Sequence, residues 1–134
     1  MTNYLLDTNI LSDLVRNPQG QIAAHIRKVG ESRVGTSIIV ASELRYGAER
    51  KGSARLKLQL EAVLGALEVL SFEAPADEFY SRIRVELEAL GKPIGSNDLL
   101  IAAHALSLGR AFVTDNTREF SRVRGLKVEN WLRP

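Results

Sequence analysis

The segment Tyr4-Leu5-Leu6-Asp7-Thr8-Asn9-Ile10-Leu11 decides the fold. An apolar pair runs into a carboxylate, a hydroxyl and an amide, after which Ile10, Leu11, Leu14 and Val15 recur at helical spacing as far as Asn17-Pro18. A short buried strand passing directly into an amphipathic helix accounts for that change of period. Asp7 then stands at the carboxyl end of the strand, where open parallel sheets bind their ligands.

The alternation continues outward from this unit. Ile22, Ile26 and Val29 mark a second helix ended by Gly30, and Arg33-Val34-Gly35-Thr36-Ser37 reads as a strand feeding a helix around Ser42 to Ala48. Leu56, Leu60, Val63, Leu64 and Leu67 define a long amphipathic helix, and Val69-Leu70-Ser71-Phe72 a third strand. Pro75 and Asp77 open a helix with the face Phe79, Ile83, Leu87 and Leu90, closed by Gly91. From Leu99 to Leu108 the chain is apolar nearly all round a helix, which predicts deep burial. Ala111-Phe112-Val113-Thr114 is a fourth strand and Lys127-Val128-Glu129 a weak fifth. Strands separated by helices imply right-handed crossovers and a parallel sheet covered on both faces. The expected fold is an α/β/α three-layer sandwich with a central parallel sheet of four to five strands, one domain over residues 1–134.

Composition narrows the chemistry. A chain of 134 residues buries about two-thirds of its unfolded surface without staples, and 45% hydrophobic with 25% charged residues is ordinary for a globular domain. With no cysteine, disulfides, thiol nucleophiles and thiolate metal sites are excluded. Asp7 and Asp13 interrupt the first apolar run, which argues against a signal peptide or a spanning helix and makes the cytoplasm the expected compartment, with no membrane partner. A net charge of +2 permits a nucleic-acid partner without requiring one. The runs Arg50, Lys51, Arg55, Lys57 and Arg118, Arg122, Arg124, Lys127 suit a phosphate backbone and a solvated face equally well.

The acids fall at equivalent places. Asp7 follows strand one, Glu43 lies on the helix after strand two, Asn97-Asp98 opens the buried helix, and Thr114-Asp115-Asn116 ends strand four with Glu119 a turn later. Taken singly, Asp7, Asn97 and Asp115 read most simply as helix N-caps. Taken together they place several carboxylates at one sheet edge, where close pairs repel by about 4 kcal/mol at an effective dielectric near 20. A bound cation would relieve that repulsion, and oxygen-only donors favour Mg²⁺, or Mn²⁺, over zinc.

Other chemistries fit less well. Ile39 stands where a nucleophile elbow around Ser37 requires glycine. Gly91-Lys92-Pro93-Ile94-Gly95-Ser96 has the letters of a phosphate loop in the wrong order. His25 and His104 lack a metal-ligand spacing, and Trp131 reads as a packing anchor. A haloacid-dehalogenase-type phosphotransferase needs a second aspartate where this chain has Asn9.

Four ordered motifs, Leu6-Asp7-Thr8-Asn9, Ala41-Ser42-Glu43-Leu44-Arg45-Tyr46-Gly47, Asn97-Asp98-Leu99-Leu100-Ile101-Ala102-Ala103 and Val113-Thr114-Asp115-Asn116-Thr117-Arg118-Glu119-Phe120, resemble those of the PIN-domain ribonucleases, specifically the VapC toxins of bacterial toxin-antitoxin pairs. The resemblance spans nearly the whole chain. It implies an endoribonuclease that cuts structured RNA, often transfer RNA, to stop translation, a cognate antitoxin that blocks the site, and a homodimer. Many family members carry an aspartate two positions after the threonine of the last motif, where this chain has Asn116. Asp7, Glu43 and Asp98 transfer onto the family pattern; Asp115, Asn116 and Glu119 compete for the remaining role.

On this reading Asp7 and Asp98 hold the Mg²⁺, and Glu43 either binds it through water or orients and deprotonates the attacking water. Thr8, Asn9 and Ser37 are candidates to fix carboxylate rotamers by hydrogen bonding. An antitoxin is expected to insert a cationic side chain between the acids, since a guanidinium bridges carboxylates much as a metal does. The competing reading is a PIN-like module that binds RNA or a protein partner but has weak or no turnover, and Asn116 is the residue that favours it.

Overall fold

The computed structural model describes residues 1–133. Its centre is a five-stranded, all-parallel sheet in the order β3-β2-β1-β4-β5, with β1 Tyr4–Leu6, β2 Val34–Ser37, β3 Glu68–Leu70, β4 Ala111–Val113 and β5 Val128–Glu129. Seven helices connect and cover the strands: α1 Thr8–Arg16, α2 Gln21–Val29, α3 Ile38–Lys51, α4 Ala54–Ala66, α5 Ala76–Ala89, α6 Ser96–Leu108 and α7 Thr117–Phe120. Helices α1, α2 and α4 pack together, α5 packs along α6, and α3 touches α1, α4 and α6. The result is the expected α/β/α sandwich, with all five strands present.

The order of the strands positions the site. From β1 the chain moves to β2 and β3 on one side, then returns to β4 and β5 on the other, so the direction reverses between β1 and β4. Leu6 pairs with Val113 there, which sets Asp7 beside Thr114 at the carboxyl ends of the two central strands. Leu5, Leu6, Phe112 and Val113 have no exposed surface, as expected of strands covered on both faces. Helix α6 lies as deep as its composition predicts, with Leu99, Ile101, Ala102, Ala103, His104 and Ala105 all buried. None of the described helices is long and apolar enough to cross a membrane.

Three local readings change. The helix expected around Ser42 to Ala48 begins at Ile38, straight from the strand, because Ser37 Oγ accepts the Ile39 N–H at 3.0 Å and caps it. The β-branched run Ile38-Ile39-Val40 disfavours helix locally, but burial of Val40 and Ala41 overrides propensity. β3 stops at Leu70, leaving Ser71 and Phe72 outside the ladder, and Phe72 packs edge-on against the His104 ring at 5.3 Å. Finally, a 3-10 turn, Glu31–Arg33, precedes β2, which therefore starts at Val34 rather than Arg33.

Gly35 of β2 sits opposite Glu68 of β3 with no room for a side chain. A Cβ there would lie 2.9 Å from the Glu68 carbonyl oxygen and 3.2 Å from Arg110 Nη1. The Arg110 guanidinium bridges strands by donating to the Tyr4 carbonyl and to Glu68, so it has little room to yield. Gly35→Ala is expected to lower stability by about 1–3 kcal/mol, the range typical of overpacking, read as a lower urea midpoint with an unchanged slope.

Candidate active site

Asp7 is the structural centre of the site and only 4% exposed. Oδ1 accepts the Thr8 amide at 2.8 Å, so Asp7 does cap α1. Oδ2 accepts Thr114 Oγ1–H at 2.7 Å and lies 3.4 Å from Asn9 Nδ2. Burial pushes the Asp7 pKa up, the Thr114 and Thr8 hydrogen bonds oppose the rise, and the negative charges of Glu43 and Glu119 add to it. Capping is therefore part of what Asp7 does, but it fails as an account of the other candidates. Gly95 precedes α6 and Asn116 precedes α7, neither with a side-chain cap, so Asn97 and Asp115 cap nothing.

Glu43 reaches the same place from the second turn of α3. Its Oε1 accepts the Thr8 hydroxyl at 2.8 Å and its Oε2 lies 3.4 Å from Asn97 Nδ2, so α1 and α6 both hold it. Asp98 enters from the first turn of α6 and is half-buried. Its pKa is raised from 3.8 to about 7, first by burial, then by a hydrogen bond with Glu119 and the charges of Glu119, Asp7 and Glu43. Burial and the neighbouring negative charges act in the same direction, favouring the protonated acid at Asp98. Glu119 Oε2 accepts Asn116 Nδ2 at 2.9 Å, while its buried Oε1 has no hydrogen-bond partner.

Four carboxylates thus converge, from Asp7, Glu43, Asp98 and Glu119. Asp115 does not join them. Its Oδ1 accepts Asn130 Nδ2 at 3.0 Å and Arg133 Nε at 2.9 Å, and these hydrogen bonds pull its pKa down. Asn116 contributes through its amide, by holding Glu119. Of the residues expected to fix carboxylate rotamers, Thr8 holds Glu43 and Asn9 approaches Asp7, but Ser37 holds no carboxylate. Its hydroxyl, fully buried, lies 2.8 Å from His104 Nδ1 and caps α3, so the side chain is consumed within the core. Thr114 and Asn97 were not singled out as orienting residues from sequence. Their positions beside motif acids were the available signal, but what they bond depends on strand register and helix packing.

The donor set suits a hard divalent cation. Among the described residues, no three acidic or histidine side chains form a ready-made metal cage. The acids instead crowd one another, with Asp98 pushed toward its protonated form and an orphaned oxygen at Glu119 Oε1. A cation among oxygen donors would return Asp98 to its charged form and satisfy that oxygen. Neither histidine competes for this place: His104 is bonded to Ser37, and His25 stacks on Trp131 at 4.0 Å.

The raised pKa of Asp98 fixes the sign of a pH effect. The folded chain binds a proton that the unfolded chain has released between 3.8 and about 7, so this group's contribution to stability falls as pH rises through that window. In chelator, Asp98→Asn is expected to melt above the parent protein at pH values beyond that window and to flatten the pH dependence of the melting temperature. Equal slopes for the two proteins would refute the raised pKa of Asp98.

Comparison with known proteins agrees with this geometry. The PIN domain family model matches residues 4–126. The chain is 36% identical over 132 residues to the tRNA(fMet)-specific endonuclease VapC of Shigella flexneri, covering 98% of this chain and 99% of that protein. It is 35% identical over 130 residues to ribonuclease VapC2 of Rickettsia felis, covering 96% and 97%. Among solved structures, VapBC2 from Rickettsia felis bound to a DNA fragment from their promoter superposes with a TM-score of 0.90 at 34% identity, over 97% of this chain and 99% of that one. A match that begins in β1 and runs past α7, with relatives alike over almost their full length, leaves one assignment: this chain belongs to the PIN-domain family, in its VapC branch.

Proposed function

We propose that the protein is the toxin of a toxin-antitoxin pair, a divalent-cation-dependent endoribonuclease that cuts structured RNA, with transfer RNA the expected class, and so inhibits translation. The observation that carries this reading is the convergence of Asp7, Glu43, Asp98 and Glu119 at the sheet's reversal point, with the charge frustration recorded at Asp98. The VapC relatives, named as a tRNA endonuclease and a ribonuclease, support RNA as substrate.

Asp7 and Asp98 would hold Mg²⁺ or Mn²⁺. When bound, the cation supplies positive charge that activates water and offsets charge developing on the phosphate. Thr8 and Asn97 fix the Glu43 carboxylate from both sides, which suits it to orient and deprotonate the attacking water. Asn116 sets the rotamer of Glu119, which adds negative charge beside Asp98. Thr114 ties Asp7 to β4, so the two central strands keep one carboxylate in register with the others. Exposed Arg50, Lys51, Arg55, Arg118, Arg122 and Arg124 supply the positive surface a phosphate backbone requires.

The VapBC2 structure from Rickettsia felis supports an antitoxin partner. A cationic side chain of that partner is expected among the acids, in place of the metal. A homodimer belongs to the same proposal, and exposed Tyr46, Val85 and Leu90 are apolar side chains available to such an interface. The cytoplasm is the compartment in which such a toxin meets its RNA.

Two experiments test this. Asp7→Asn and Asp98→Asn should each lower the rate of RNA cleavage in Mg²⁺ by more than about 100-fold, beyond the loss typical of outer residues of a metal site, with the thermal transition retained. Wild-type cleavage by either variant would remove the metal assignment, and a wild-type protein without metal-dependent cleavage would favour the binding-module reading. Second, antitoxin inhibition should weaken as Mg²⁺ rises, because both place positive charge among the same acids. An inhibition constant indifferent to Mg²⁺ would show that the antitoxin acts away from Asp7 and Asp98.

A further inference from the structure

The acid that stays outside the cluster is tied to the end of the chain. Residues 130–133 follow β5 and run back beside the carboxyl end of β4, and they are anchored with unusual completeness. Trp131 is buried, stacks on His25 at 4.0 Å and meets Tyr4 edge-on at 5.2 Å. Gln21 Nε2 donates to the carbonyls of Trp131 and Leu132 at 3.1 and 2.7 Å. Asn130 Oδ1 accepts the amides of Leu132 and Arg133, which turns the chain so that Arg133 faces back. Both Asn130 Nδ2 and Arg133 Nε then donate to one oxygen, Asp115 Oδ1.

Asp115 sits one residue before Asn116, whose amide holds Glu119. The backbone between them is bonded at each step: Asp115 N–H donates to Asn9 Oδ1 at 3.0 Å, and Asn116 N–H donates to Thr114 Oγ1 at 3.0 Å. The same Thr114 hydroxyl donates to Asp7. A path of direct contacts therefore leads from the anchored C-terminal segment through Asp115 to the rotamer of Glu119.

We propose that Asp115 is a positioning residue: clasped by Asn130 and Arg133 of the C-terminal strap, it holds the β4–α7 loop in the turn from which Asn116 aims Glu119 into the carboxylate cluster. The inference rests on reading that cluster as a cation-dependent nuclease site. It gives Asp115 and the strap a definite job. It also separates two roles for an acid in this motif that predict opposite behaviour of its partners. If Asp115 were itself a metal ligand, Asn130 and Arg133 would compete with the cation for Oδ1, and removing them would strengthen cation binding. If Asp115 positions Glu119, removing its partners weakens binding as removing Asp115 does. The Asp115–Arg133 pair lies at the surface, where such pairs add little to global stability, so its loss leaves the fold standing.

The test uses the full chain and three readouts: Mn²⁺ binding by calorimetry, Mg²⁺ dependence of RNA cleavage, and amide hydrogen exchange over residues 115–119. Asp115→Ala, Asn130→Ala and Arg133→Ala should each weaken Mn²⁺ binding about tenfold, the lower end for residues that orient ligands. Each should also raise the Mg²⁺ needed for half-maximal cleavage and speed exchange in the loop. Asp115→Asn, whose amide oxygen still accepts, should fall between wild type and Asp115→Ala, and the Asp115→Ala/Arg133→Ala double variant should be no worse than Asp115→Ala. Unchanged or tighter Mn²⁺ binding in Asn130→Ala and Arg133→Ala, with loss only in Asp115→Ala, overturns the proposal in favour of a ligand. Unchanged exchange and binding in all three overturns it outright. Failure of the nuclease reading looks different, since wild type then binds no Mn²⁺ and cleaves no RNA; loop exchange in the three variants still decides whether the strap holds the loop.

Discussion

One carboxylate must be buried and yet stay available for charge. Asp7 is almost fully enclosed at the carboxyl end of β1, where an unsatisfied anion would cost several kcal/mol in desolvation. The structure meets that cost with two short hydrogen bonds, one from the start of α1 and one from the end of β4. The Thr8 amide is local to the helix start, but the Thr114 hydroxyl is in place only if β1 and β4 pair in parallel with Leu6 opposite Val113. Because strand side chains alternate faces, a slip of one residue would turn Thr114 away and bury the core residues of β4 wrongly. Fold and site are thus fixed by the same register.

Around this carboxylate, short polar side chains act in more than one contact. Asn9 approaches Asp7 and Thr114 with its amide nitrogen and accepts the Asp115 amide with its oxygen, so it couples the first helix to the loop after β4. Thr8, next to it, turns the other way to hold Glu43. A helix start is well suited to this, because its first residues point out of the sheet's edge in several directions within one turn. Helix α6 brings Asp98 and Asn97 to the same edge on adjacent positions, one facing Glu119 and the other Glu43. Four helices therefore meet at the site, each anchored in the core through apolar residues a turn or less away.

The electrostatic arrangement is local rather than global. The chain as a whole carries a small positive charge, while four acids crowd one edge of the sheet. The strain is concentrated at Asp98, which unlike Asp7 has no strong hydrogen-bond donor to offset its neighbours. Proximity of like charges and partial burial act in the same direction there, and a positive ligand, metal or guanidinium, reverses both.

How much of this was legible beforehand differs by residue. The switch of period after Leu6, the all-apolar run of α6 and the recurring acids pointed to a parallel α/β/α domain with a candidate site at one edge, because those features are local in the chain and follow from burial and helix geometry. Asp7, Glu43 and Asp98 stand out as candidates on the same grounds. The choice among Asp115, Asn116 and Glu119 was not legible, since residues this close in sequence are separated only by the direction the loop gives their side chains. That direction is set by Asn130 and Arg133, 15 and 18 residues beyond Asp115, against Trp131. Ser37 shows the same limit: as a serine after a strand it could bond a carboxylate, but α6 places His104 against it. Sequence by itself determined which elements form and where their polar ends lie, because backbone propensity and apolar periodicity act over a few residues. Only the tertiary structure decided which polar end bonds which, because hydrogen bonds of about 3 Å are made between chain segments whose separation no local pattern records.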